Sequence, residues 1–179
     1  MTCKFVLIPY RIPLLALPIT VGGTIRRLPN HLLSLSFSVS GPMKILEIAP
    51  PSYSPNRMNG LWKKTCFECF LSPLYEKRYW EINLSPAGHW NIYFFKGYRE
   101  GMADEKRIHA LLSKIEINAK SLTLTAVVNL SALAPLHSAI HIGIAAVIKE
   151  KNGNLSYWAL THPGLQPDFH RREGFILQI

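Results

Sequence analysis

The chain has 179 residues, 48% of them hydrophobic and 17% charged, with a formal net charge of +9. That length suits a single domain, residues 1–179, able to bury roughly two-thirds of its unfolded surface, and the low charge excludes a solvated helical or disordered chain. The basic residues stand singly or in pairs (Arg26-Arg27, Lys63-Lys64, Arg171-Arg172) with no basic run, so the charge speaks to solubility and not to a nucleic-acid partner.

Met1 to Val21 is apolar, but Pro9, Pro13 and Pro18 interrupt it and Arg11 lies in its middle. We therefore expect neither an export signal nor a membrane span, and a cytoplasmic location. Strands are expected over Cys3–Ile8 and over His31–Ser40, where Leu33, Leu35, Phe37 and Val39 alternate with polar residues. Thr65–Leu71, Tyr79–Leu84 and Trp90–Phe95 follow, the last two joined by the turn residues Ser85 to His89. A short helix is expected near Glu105–Leu112. Ser113–Asn118 and Leu122–Leu130 read as a hairpin. His141–Lys149 and Leu155–Thr161 flank a turn at Lys151-Asn152-Gly153-Asn154, and Phe175–Ile179 closes the chain. About ten short strands with few helices predict two packed antiparallel sheets.

Three cysteines, Cys3, Cys66 and Cys69, make an odd count without framework spacing, which argues against a disulfide-stapled fold. Cys66 and Cys69 have a redox or zinc spacing, yet on a strand residues three apart point to opposite faces. No second Cys/His pair completes a zinc site, so buried thiols are expected.

The region from Leu61 to Met102 carries the functional signal. If Phe67, Cys69, Leu71, Trp80, Ile82, Leu84, Trp90, Ile92 and Phe94 face the core, strand alternation turns another set to the opposite face. That set is Trp62, Glu68, Phe70, Tyr79, Glu81, Asn83, Asn91, Tyr93 and Phe95. Aromatic rings offer apolar area to sugar C–H groups, and carboxylates and amides bond to hydroxyls. A small polar ligand is the expected partner. The plain alternative is a solvated sheet face whose aromatics pair across strands.

Several strings here resemble the DOMON-like domains related to family 9 carbohydrate-binding modules. They are Leu61 to Leu71, Tyr79 to Asn91, Tyr98 to Met102, Tyr157 to Pro163 and Pro167 to Arg172. The resemblance implies an immunoglobulin-like or jelly-roll-type antiparallel sandwich of about nine to eleven strands and a non-catalytic module for a carbohydrate or similar ligand. By the same resemblance Glu68 is the acidic sugar-binding residue, Arg99 the arginine, and Trp62 and Trp158 the aromatic clamp. With the face read from alternation, the expected ligand-binding residues are Trp62, Glu68, Tyr79, Glu81, Asn83, Tyr93, Arg99 and Trp158. No cofactor is expected.

Three other readings remain open. His162, Asp168, His170 and Arg172 form a second candidate patch, in which two histidines and a carboxylate suit a metal-assisted enzyme. The plainer form is a loop pinned by Asp168 pairing Arg171 or Arg172 or capping backbone amides. Some DOMON domains bind haem through a Met and a His, for which Met102 and His162 are the residues of the right type. Glu68 and Glu81 could also form the carboxyl pair of a glycoside hydrolase.

Overall fold

A computed structural model of the protein describes residues 2–11, 18–133 and 139–179, so part of the apolar N-terminal stretch lies outside the described residues. The described chain forms twelve strands, all paired antiparallel. In chain order they are β1 (Thr2–Pro9), β2 (Thr20–Arg27), β3 (Leu32–Ser40), β4 (Cys66–Pro73), β5 (Tyr79–Leu84) and β6 (Trp90–Phe95). Then come β7 (Ala103–Asp104), β8 (Ser113–Ile117), β9 (Ser121–Asn129), β10 (Ile140–Lys149), β11 (Leu155–Ala159) and β12 (Leu177–Gln178).

Two layers result. One runs β1-β2-β3-β9-β8, the other β7-β6-β5-β4-β10-β11, with β12 pairing β10 beyond the end of β11. Strand β1 joins them: Thr2 to Leu7 pair with β2, and Ile8 and Pro9 pair with β11. The apolar set of β3 and that of β4 to β6 meet between the layers, where Phe37 stacks on Phe67 at 5.0 Å. The sandwich expected from alternation is therefore the observed one, with the expected faces inward.

Two strands escape the sequence pattern. In β2, Gly22 and Gly23 break the apolar alternation, because neighbouring strands crowd them. A Cβ on Gly23 would lie 1.9 Å from the Ser36 carbonyl oxygen and 2.8 Å from Phe5 Cζ. The two-residue β7 is too short to carry a period.

The helix expected over Glu105–Leu112 is absent; the segment is a turn followed by irregular chain. Arg57 supplies the reason. Its guanidinium donates to the backbone oxygens of Glu105 (2.9 Å) and Ile108, acceptors that a helix would use internally. The Glu105 side chain also takes Trp80 Nε1–H at 2.9 Å and the Arg107 guanidinium at 2.6 Å. Held by Arg107, its carboxyl titrates at about 2. Ile108 and Leu111 are thereby laid into the core.

Candidate functional site

The outer face of the β4–β6 layer is not solvated. Phe70, Tyr79, Tyr93 and Phe95 form a second apolar cluster with Ala145, Ala159 and Phe175, so the alternative of an exposed sheet face is overturned. The cover is the irregular segment between β11 and β12. His170 packs edge-on against Phe70 at 5.3 Å and Phe95 at 5.1 Å, and Phe175 stacks on Phe70 at 5.5 Å. Gly143, opposite Phe70, admits that ring: a Cβ there would meet Phe175 at 2.5 Å.

Between cover and sheet lies a cup of about 410 Å³, within the usual size of small-molecule sites. Register explains its depth. Across the strands Glu68 lies beside Ala145, itself paired with Ala159, and beside Asn83 on the other side. Two alanines in that row place only methyl groups on the Ala145 side of Glu68. The next row places Glu81 beside Phe70 and Tyr93. Both glutamates line the cup, although only 3% and 4% of their surfaces are accessible. Trp62, Phe95, Tyr157 and Phe169 are its aromatic walls, and Arg99 and Met102 line it from the loop after β6.

The expected residues divide into lining and support. Trp62, Glu68, Glu81, Arg99 and His170 line the cup. Tyr93 supports Trp62 edge-on at 5.7 Å, and its hydroxyl donates to Asn59. Asn83 donates to Glu81 Oε1 at 2.7 Å. The Tyr79 hydroxyl receives the Arg99 backbone N–H at 3.2 Å and bonds His170 Nδ1 at 2.8 Å. The other ring nitrogen of His170, Nε2, is turned toward Glu81. That nitrogen lies 3.8 Å from Glu81 Oε2.

Trp158 requires correction. It lies in the core between the sheets, paired with the inward Ala146 and donating to Ser156. Its neighbour Tyr157 is the residue that turns to the cup. Strand β10 is apolar on both faces (Ala145, Ala146, Val147, Ile148), so alternation does not orient β11 and does not reveal Tyr157. Lys63, Val147, Leu155, Pro167 and Phe169 also line the cup. Phe169 and Pro167 lie on irregular chain, where no periodicity reports a facing direction.

The second patch does not converge. His162 Nε2 meets the Ile8 carbonyl oxygen at 2.9 Å, whereas His170 turns into the cup. Arg172 donates to the Lys77 carbonyl oxygen. Asp168 pairs neither Arg171 nor Arg172; it takes the Arg99 guanidinium at 2.8 Å, the Tyr98 hydroxyl, and the His170 backbone N–H at 3.1 Å. No group of three His, Cys, Asp or Glu among the described residues is arranged to hold a metal ion. Met102 lines the cup and His162 does not, so this pair does not share one site. Cys66 and Cys69 are both buried free thiols on opposite faces.

Burial dominates the electrostatics. It pushes the Glu81 carboxyl up to about 7, against the opposing pull of Asn83 and Arg99. Glu68 is raised well above its ordinary value by burial and by the nearby Glu81 charge, and its Oε1 has no hydrogen-bond partner. Burial and the Arg99 charge hold His170 down at about 4. Asp168, although buried in part, is kept below its ordinary value by Tyr98 and Arg99.

No protein-family model and no curated protein matches the chain. Solved structures do. A candidate carbohydrate-binding protein from Bacteroides uniformis superposes with a TM-score of 0.67 at 14% identity, covering 97% of this chain and 83% of its own. A family 9 carbohydrate-binding module from Caldicellulosiruptor kristjanssonii, in complex with cellotriose, gives 0.52 at 10% identity, over 89% of this chain and 72% of its own. The glucose complex of a family 9 module from the same organism gives 0.50 at 11% identity, over 86% and 73%. The fold is shared. At these identities a common sandwich says nothing by itself about the ligand.

Proposed function

We propose that the protein is a non-catalytic binding module whose cup takes a carbohydrate. One observation carries the reading: the buried Glu68, whose Oε1 has no hydrogen-bond partner, lies in the lining of a cup walled by aromatic rings. A buried polar atom without a partner costs about 1–3 kcal/mol, and a ligand hydroxyl or other donor removes that cost. Sugar C–H faces suit Trp62, Tyr157 and Phe169, while Glu81 and Arg99 offer an acceptor and a donor to further hydroxyls. The Caldicellulosiruptor modules that share the sandwich hold cellotriose and glucose, which supports the ligand class.

Glycoside hydrolysis is the weaker reading. Its two carboxyl groups must flank the scissile bond, but Glu68 and Glu81 rise from one face of one sheet and reach a ligand from the same side. Calorimetric titration with monosaccharides and short oligosaccharides tests the binding reading. We expect a saturable site in the wild type, and at least a tenfold loss, about 1.4 kcal/mol, in Glu68→Ala and in Trp62→Ala with melting retained. Affinity that survives both changes places any ligand elsewhere.

A further inference from the structure

Two carboxyl groups share the cup with Arg99 and Lys63. Glu68 and Glu81 stand diagonally on adjacent strands, facing one space. Their direct partners are few: Asn83 at 2.7 Å from Glu81 Oε1, the His170 ring at 3.8 Å from Oε2, and no hydrogen bond to Glu68 Oε1. Arg99, the cation beside them, is committed at 2.8 Å to Asp168. Lys63 is exposed at the rim. The Arg99 charge acts on both carboxyl groups, but burial outweighs it and both hold their protons above the ordinary carboxyl range; a ligand cation seated between them favours their charged form.

The walls agree with the floor. Ring faces attract cations electrostatically, most strongly Trp, and Trp62, Tyr157 and Phe169 line the same cup as the two carboxyl groups. Long-range forces point the other way, because a net charge of +9 repels a cation. A preference for a cationic ligand can therefore arise only from this local arrangement.

We propose that the carbohydrate taken by the cup is an amino sugar, its ammonium group set against Glu68 and Glu81 and its ring among the aromatic walls. The inference rests on the carbohydrate reading of the same site. An N-acetylated sugar lacks the charge, and a plain hexose offers only neutral hydroxyls.

Three disaccharides that differ at C2 alone test it: the chitosan disaccharide, cellobiose and diacetylchitobiose, with cyclohexylamine as an amine lacking a sugar ring. Titrations of the whole protein are made slightly below neutral pH, where an amine stays charged. We expect the chitosan disaccharide to bind at least about tenfold tighter than the other two. Glu68→Gln should bring it down to the cellobiose level while melting no lower than the wild type. If cellobiose or diacetylchitobiose binds as tightly as the amino sugar, the ammonium assignment is overturned and the carbohydrate reading stands. If cyclohexylamine matches the chitosan disaccharide and cellobiose is silent, the carbohydrate reading falls and the cation site remains. Silence from all four overturns both.

Discussion

Glu68 is held where a folded chain gains nothing from it. It occupies a central strand, its row neighbours are alanines and an asparagine already engaged with Glu81, and one oxygen is left without a donor. Such a residue exchanges stability for binding capacity, and pH exposes that exchange. For Glu68 and Glu81 the native value lies above the unfolded one, so the proton favours the folded state. Stability from this source is complete below the unfolded value of 4.5 and is lost as pH rises, through about 7 in the case of Glu81. For Glu81 alone the shift corresponds to about 3 kcal/mol at most. His170 has the opposite sign: its native value, about 4, lies below the ordinary 6.5, so its contribution is lost as pH falls through that window. Above about pH 6.5 the carboxyl groups dominate. Wild-type melting temperature is expected to decline from about pH 6.5 to 8, and Glu68→Gln/Glu81→Gln to melt higher and show little slope. Equal slopes in the two proteins would mean that the carboxyl groups are solvated in the native state.

At the scale of elements, one strand shows how a single step of register separates stability from recognition. On β11, Trp158 fills the core between the sheets and Tyr157 faces the cup. Trp158→Ala is expected to cost about 3–5 kcal/mol by leaving a cavity. Tyr157→Ala should cost far less stability but lower ligand affinity about tenfold. Chemical denaturation and calorimetry on the two variants check the division, and reversed effects would refute it. The same strand marks where sequence stops informing. The inward faces of β3, β4, β5 and β6 are legible because each alternates apolar with polar or amphipathic residues, and this also gathers Glu68, Glu81, Asn83 and Tyr93 on one side. Strand β10 is apolar on both sides and transmits no such signal to β11. Strand β2 hides behind glycines demanded by backbones that only the folded sheet brings close. The segment 105–112 has helical composition locally, yet a distant arginine, Arg57, takes its carbonyl oxygens. In these last two cases a long-range contact overrides local preference.

At the scale of the molecule, the cup exists because the chain adds a third layer to a two-layer fold. Its walls outside the strands come from three distant places: Trp62 ahead of β4, Arg99 and Met102 after β6, and Phe169 and His170 ahead of β12. No strand pattern announces this layer, since the segment that forms it is irregular. Its anchors are Phe175 over Gly143, the pairing of β12 with β10, and the Arg99–Asp168 ion pair. The core between the sheets contains none of Phe169, His170 or Phe175, so the layer can loosen while the sandwich stays folded, as local opening does in other proteins. Arg99 is half exposed, its side chain 53% accessible, and water screens the pair, which limits its worth to about 1 kcal/mol. Asp168→Asn should therefore leave cooperative melting within a few degrees of wild type, consistent with a loss of about that size. It should also speed hydrogen exchange across residues 165–171 and weaken sugar binding, because Arg99 and His170 lose the group that orients them. Unchanged protection in that segment, or global unfolding of the variant, would show that the third layer is not an independently mobile part of the fold.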